Sequence, residues 1–285
     1  MCATFFSGFA LVFDRDLKSI DAVRDWIDVL ILAVIEGVTE FLPISSTGHM
    51  LIAKEWLSYK PDELFLAVVQ SGAVLAVLLV FTARMREMLT QWRQPETQQF
   101  MGKLMAAFMV TAIGGLVLKK LNFELEEDPT PVALATLVGG ILILWIEMAI
   151  RKKDLRDSIT WPVAIAIGAG QLLAVIFPGL SRSGTAIMLA LALGIARSPA
   201  TEFSFLLGIP TLLSAGALKI FEAIKGDKAD VNWLLIAWGT VIAAATAFVA
   251  VKWLLKFVRS HTFNGFGWYR IALGIIILLL VQFGG

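Results

Sequence analysis

Six apolar runs, at about residues 64–83, 103–121, 131–150, 203–221, 233–255 and 267–283, approach the ~20 residues an α-helix needs to cross a bilayer. Between them lie two apolar stretches that are interrupted, at about 27–57 and 161–197. Each break is a proline followed by small polar residues: Pro43 before Ser45, Ser46, Thr47 and Gly48, and Pro178 before Ser181, Arg182, Ser183 and Gly184. Proline lacks the N–H that a helix needs and clashes with the preceding turn. The arms on either side are too short to span. Each stretch therefore predicts a re-entrant hairpin, which enters the membrane, turns and leaves on the same side. Irregular backbone at that depth is tolerated only where protein or a wet cavity shields it. Composition agrees: 58% of the 285 residues are hydrophobic and 16% charged, against roughly 25% charged in a soluble domain. The expected fold class is all-α integral membrane, with six transmembrane helices and two re-entrant helical hairpins.

The interrupted stretches are alike. Glu36 precedes Pro43 by seven positions and Gln171 precedes Pro178 by seven. Gly48 and Gly184 each have another glycine twenty-four residues on, Gly72 and Gly208. This predicts an internal repeat within one membrane domain, 27–285, with halves at about 27–150 and 161–285. The order is hairpin, three spans, hairpin, three spans. Three is odd, so the second hairpin must enter from the side opposite the first. The halves then form an inverted-topology repeat, with both tips near the midplane.

Loop charge gives an orientation, because basic loops stay in the cytoplasm. The 84–103, 151–157 and 252–261 connections carry an excess of Lys and Arg, while the 122–130 loop is acidic. This puts those three loops inside, and both termini and the start of the first hairpin outside. Lys119 and Lys120, beside the acidic loop, are discordant. Residues 1–26 read as an extension outside the membrane domain: the apolar segment Phe5 to Phe13 is too short to span, and five aspartates follow between Asp14 and Asp28.

A net charge of +1 and the lack of a basic cluster argue against nucleic acid as a partner. The lone Cys2 excludes an intrachain disulfide and a cysteine metal cage. Two histidines, His49 and His261, argue against a multi-histidine metal site. The lipid bilayer is the implied partner, and a homo-oligomer is compatible with the sequence.

Ionisable residues inside apolar sequence are costly and mark candidate sites. Glu36 and Glu40 are four apart, on one face of a helix. Two carboxylates with phosphate oxygens form a usual Mg²⁺ ligand set, but such a pair can equally activate a nucleophile or serve in structural ion pairs. Arg182 carries a planar fork that matches phosphate. Ser181 and Ser183 add hydroxyls, and the helix after Gly184 aims its positive end at the turn. The competing reading pairs Arg182 with Glu36 or Glu40 structurally. His49 can act as general acid, base or nucleophile. Ser45, Ser46 and Thr47 are equally candidates for donors and for turn or cap residues. Gln70, within a span, reads as a polar partner facing the site, and His261 as interfacial.

EGVTEFLPISSTGH (36–49) and PGLSRSG (178–184) resemble the two signature regions of the undecaprenyl-diphosphatase family, also called BacA. Val69-Gln70, EFSFLLGIP (202–210) and Tyr269-Arg270 resemble it too, so the match runs from about residue 27 to the C-terminus. The resemblance implies a bacterial inner-membrane phosphatase that converts undecaprenyl diphosphate to the monophosphate, recycles the carrier lipid of cell-wall synthesis and confers bacitracin resistance. It implies a divalent cation, Mg²⁺ or Ca²⁺, and two re-entrant hairpins. Its glutamate motif maps onto Glu36 and Glu40, its serine and histidine onto Ser46 and His49, and its arginine motif onto Ser181, Arg182 and Ser183. One departure concerns Thr185: the family usually has one small residue between SRSG and threonine, and here Thr185 follows Gly184 directly. One position turns a helix by about 100°.

The catalytic set expected is thus Glu36, Glu40, Ser46, His49 and Arg182, with the two glutamates as metal ligands. Ser45, Thr47, Gln70, Ser181, Ser183 and Thr185 are expected against the substrate. Serine and water stay open as the attacking group. The alternative function is a lipid-phosphate flippase using the same midplane anion site, since inverted repeats with broken helices are a transporter architecture. A relative of the phosphatidate phosphatases is weaker, because no second histidine follows the arginine motif.

Overall fold

The protein is described here from a computed structural model, which covers residues 23–121, 123, 128–226 and 231–283. Residues 1–22 of the expected extension lie outside the described residues. All regular elements among the described residues are helices. Helix α1 covers residues 23–39. It is followed by α2 (Ser46–Trp56), α3 (Glu63–Val80), α4 (Thr82–Thr90), α5 (Pro95–Lys120) and α6 (Pro129–Ile150). The second half has α7 (Trp161–Ile176), α8 (Arg182–Ala192), α9 (Arg197–Lys225), α10 (Trp233–Phe257) and α11 (Asn264–Phe283). Six of these, α3, α5, α6, α9, α10 and α11, are long and apolar enough to cross a membrane. The chain is a multi-pass membrane protein.

Helix α1 includes residues 23–26, which were expected to lie in the extension. Asp28, grouped by sequence with the acidic segment, is buried and accepts hydrogen bonds from the backbone N–H groups of Ser58 (2.8 Å) and Tyr59 (2.9 Å). It ties the end of the arm leaving the first turn to the start of the arm entering it. The basic 84–103 connection holds the rest of α4, to Thr90, and the first turns of α5, from Pro95. The discordant Lys119 donates to Glu222 at 2.7 Å.

The interrupted stretches form two helix–turn–helix pairs, α1–α2 and α7–α8. Helices α2 and α8 have 11 residues and α7 has 16, short of a full span. Their turns are built alike. Ser45 (φ 73°) and Ser181 (φ 68°) are the only non-glycine residues of positive φ among the described residues. Each caps the helix after it: Ser45 Oγ accepts from Gly48 N–H and Ser181 Oγ from Gly184 N–H, both at 3.2 Å. The sterically costly conformation, roughly 1–3 kcal/mol, is held twice in equivalent places. These caps set the correspondence of the halves: Ser45 matches Ser181, Ser46 matches Arg182, and His49 matches Thr185. The prolines are one position out of that register. The arrangement is consistent with two re-entrant hairpins in an inverted repeat.

Helices from the two halves pack on one another: α3 on α9 and α10, α5 on α7, and α6 on α8 and α11. Glycines allow the closest approaches. A Cβ on Gly37 of α1 would strike the Ala243 carbonyl of α10, and one on Gly168 of α7 would strike the Ala107 carbonyl of α5. Both obstacles are backbone and cannot swing aside. Gly37→Ala should therefore cost about 1–3 kcal/mol of stability and lower the melting temperature in detergent. Gly115→Ala, which would meet nothing within 4 Å, should leave it unchanged or slightly raised.

Candidate active site

The two turns meet. Arg182, the first residue of α8, forms an ion pair with Glu40 through Oε1, and Glu40 Oε2 accepts from Ser46 Oγ at 3.0 Å. Glu40 is the residue after α1 ends, held one helical turn from Glu36 by its N–H to the Glu36 carbonyl (2.9 Å). Ser46 is the first residue of α2. One carboxylate therefore joins a hydroxyl from its own turn to a guanidinium from the other. The guanidinium also reaches Thr211 Oγ1 on α9, at 3.5 Å. Its side chain is 24% exposed and that of Glu40 only 6%, so the cluster is largely withdrawn from solvent yet not sealed. Both α2 and α8 start here, and each brings unpaired N–H groups and the positive end of its dipole to the same place. The site gathers one guanidinium, two helix N-termini and one hydroxyl resting on a carboxylate.

Glu36 is 1% exposed, and both of its carboxylate oxygens lack a hydrogen-bond partner. Glu40 and Gln70 are its polar neighbours. A buried carboxylate whose two oxygens accept no hydrogen bond is expensive, and it suits a divalent cation: hard, unsatisfied oxygen donors with a second carboxylate adjacent. No group of three or more His, Cys, Asp or Glu side chains among the described residues could hold a metal unaided. The remaining ligands would have to be water and substrate oxygens, as is usual for Mg²⁺.

Several expected substrate contacts turn out to hold the turns together. Ser45 Oγ and Ser181 Oγ cap their helices. Ser183 Oγ lies 3.1 Å from the Glu40 carbonyl and 3.3 Å from that of Leu42, linking one turn to the other. Thr185 Oγ1 donates to the Ser181 carbonyl at 2.8 Å, so its shifted position leaves it bonded to its own helix. Thr47 is half-buried beside Ser46, and these two are the hydroxyls of the first turn that remain accessible.

His49 is not in hydrogen-bond contact with Glu40, Ser46 or Arg182. Its Nδ1 lies 2.7 Å from the Ser45 carbonyl and its Nε2 2.7 Å from the Tyr269 hydroxyl. A carbonyl only accepts, so Nδ1 carries the proton and neutral His49 accepts from Tyr269. The rings stack at 5.6 Å, 7° from parallel. His261 contacts Phe257 and Ser260, so no second histidine joins the cluster.

The chain matches the family described as Bacitracin resistance protein BacA over residues 29–276. It belongs to the BacA family. It is 46% identical over 262 residues to an undecaprenyl-diphosphatase of Rhizobium etli, covering 91% of this chain and 98% of that relative. It is 45% identical over 251 residues to an undecaprenyl-diphosphatase of Xylella fastidiosa, covering 87% and 96%, and 43% identical over 259 residues to one of Xanthomonas oryzae, covering 90% and 97%. The BacA family match spans both turns and every residue of the cluster.

Three residues behind this BacA site were not singled out as site residues by sequence. Arg270 is 1% exposed and donates to the carbonyls of Gly179 (2.9 Å), Leu180 (2.9 Å) and Thr136 (3.1 Å), with Ala135 at 3.4 Å. It pins the second turn to α6, and Gly139 leaves the room, since a Cβ there would strike the guanidinium. Thr136 Oγ1 lies within reach of Ser45 Oγ and the Gly179 carbonyl, both at 3.2 Å, and so touches both turns. Tyr269 holds His49. An arginine within an apolar span was the available signal for Arg270. Tyr269 had its place in the Tyr269-Arg270 resemblance, and Thr136 carried no signal.

Proposed function

We propose that this protein hydrolyses undecaprenyl diphosphate to undecaprenyl phosphate and inorganic phosphate, recycling the carrier lipid for peptidoglycan synthesis. The observation that carries the reading is Ser46 Oγ resting on Glu40 while Glu40 pairs with Arg182 across the turns. The curated relatives are named for this activity, and the guanidinium, hydroxyl and helix N-termini gathered at the turns suit a diphosphate.

In the proposed mechanism the prenyl chain stays in lipid and the diphosphate enters between the turns. Arg182 transfers its fork to the phosphoryl oxygens, which frees Glu40 Oε1. Ser46 Oγ attacks the terminal phosphorus and Glu40 takes its proton. The P–O bond to the inner phosphate breaks, the departing oxygen takes that proton from Glu40, and undecaprenyl phosphate leaves. Water, deprotonated by Glu40, then cleaves the phosphoserine and returns the proton to Ser46. Arg182, Thr47 and the ends of α2 and α8 stabilise the charge on the transferring group. His49 holds the Ser45 carbonyl and fixes the turn that presents Ser46; it serves here as a positioning residue. Glu36, with Glu40 beside it, would hold a divalent cation, Mg²⁺ or Ca²⁺, which would supply neutralising charge. Glu36→Gln should raise the cation concentration for half-maximal activity by at least the roughly 10–100-fold that outer-shell changes cost, read from a metal titration.

Phosphate release by purified protein in detergent tests the reaction class. Hydrolysis without a bilayer supports the phosphatase. Binding of the lipid with no release would favour the flippase, because moving a lipid between leaflets breaks no bond.

We place the chain in the bacterial inner membrane with both termini and the first turn's arms on the outer side. In a Cys2→Ser background, a cysteine at Lys152 should resist an impermeant thiol reagent in intact cells, and one at Glu126 should be labelled. The reverse pattern would invert the orientation.

A further inference from the structure

A second polar site lies at the other end of α6. Glu147 is about three turns beyond Thr136 on that helix, so roughly 16 Å from the turns at 1.5 Å per residue. It is buried inside an apolar span, forms an ion pair with Arg197 at the start of α9, and accepts the Phe263 N–H at 2.8 Å. These contacts bring the ends of α6, α9 and α11 together. They also wall a cavity of about 780 Å³, within the range of ligand pockets, roughly 300–1,000 Å³.

The lining has two parts. Arg151, Lys153 and Arg197 supply three cations against the single carboxylate of Glu147. Arg197 is spent on Glu147, leaving Arg151 and Lys153, both exposed, as the charges free to meet a ligand. Asp154 is not on the wall, and Asp157 lines a different cavity with Arg84 and Glu202. Asn264, the first residue of α11, adds polar atoms and the positive end of that helix. Thr262 adds a hydroxyl, and the apolar part of the wall includes Leu144 and Met148 of α6 and Trp268 of α11, with Met148 69% and Trp268 64% exposed.

We propose that this cavity binds the headgroup of an anionic phospholipid. A soluble anion would use the cations but not the hydrocarbon wall; a neutral lipid would use the wall but leave the cations without a partner. A phosphodiester over Arg151 and Lys153, with acyl chains along Met148 and Trp268, uses both. Basic pockets between spans at a cytoplasmic surface bind such headgroups, and an interfacial tryptophan suits the glycerol level. The Glu147–Arg197 pair keeps the pocket floor neutral, so the two outer cations face the ligand. This site is separate from the turns and does not depend on the reaction assigned to them.

The test uses purified full-length protein in detergent with added phosphatidylglycerol, phosphatidylcholine or inorganic phosphate, read by thermal unfolding and by lipid retention in native mass spectrometry. Phosphatidylglycerol should raise the melting temperature and stay bound; the other two should not. An Arg151→Gln/Lys153→Gln protein should bind phosphatidylglycerol roughly 30-fold more weakly, about fivefold per basic residue. A charge-matched Lys152→Gln/Lys256→Gln protein, altered off the wall, should bind it as the wild type does. An equal shift with phosphatidylcholine or with phosphate alone would overturn the proposal. So would unchanged binding in the first variant, or equal loss in the second.

Discussion

Replacing Ser46 with alanine should lower phosphate release from undecaprenyl diphosphate by on the order of 10⁴-fold or more, the scale seen when a hydrolase loses its nucleophile. The side chain's one hydrogen bond is to Glu40, while the cap of α2 is made by Ser45. The variant should therefore fold, and its melting temperature in detergent should stay near that of the wild type. If water attacked directly, Ser46→Ala would remove only a hydrogen bond of about 1 kcal/mol, and turnover would fall by less than tenfold. The size of the loss separates the two routes.

Arg182→Lys keeps the charge and removes the fork. A lysine can still neutralise Glu40, so an arginine retained only as a structural partner would be replaced without loss. If the guanidinium grips phosphoryl oxygens as charge moves onto them, turnover should drop by roughly 10²–10³-fold, the cost of one preorganised donor. KM should change less than kcat, because the interaction strengthens in the transition state. Steady-state kinetics on a monodisperse preparation measures both. Near-normal turnover would leave Arg182 as an ion-pair partner of Glu40 and remove it from the catalytic set.

Much of this was legible in the sequence, for definite reasons. Hydrocarbon thickness fixes the length of an apolar span, so α3, α5, α6, α9, α10 and α11 follow from hydropathy. Pro43 and Pro178 mark the two breaks, and the carboxylates and the arginine placed there point to Glu36, Glu40 and Arg182, while Ser46 was set apart from its neighbours only by the resemblance to the BacA signature. What a serine's hydroxyl does inside a turn was not legible. Ser45, Ser46, Ser181 and Ser183 share one chemistry, and only the positive φ of Ser45 and Ser181 turns those two hydroxyls onto their own helices. Ser46 stays available because it follows the cap. The partners of His49 were likewise hidden, since Tyr269 reaches it from the last span through packing that no local pattern encodes. Asp28 misled for the opposite reason: it sits in an acidic run, but its carboxylate is used inside the fold.

The stereochemical course at phosphorus tests the central claim most directly. Undecaprenyl diphosphate made chiral at its terminal phosphorus with sulfur and oxygen isotopes is hydrolysed by wild-type protein in isotopically labelled water, and the configuration of the released thiophosphate is determined. Attack by Ser46 followed by water inverts the phosphorus twice, so the configuration should be retained. A single inversion would mean that water attacks directly, and would contradict Ser46 as the nucleophile held by Glu40 between the two turns.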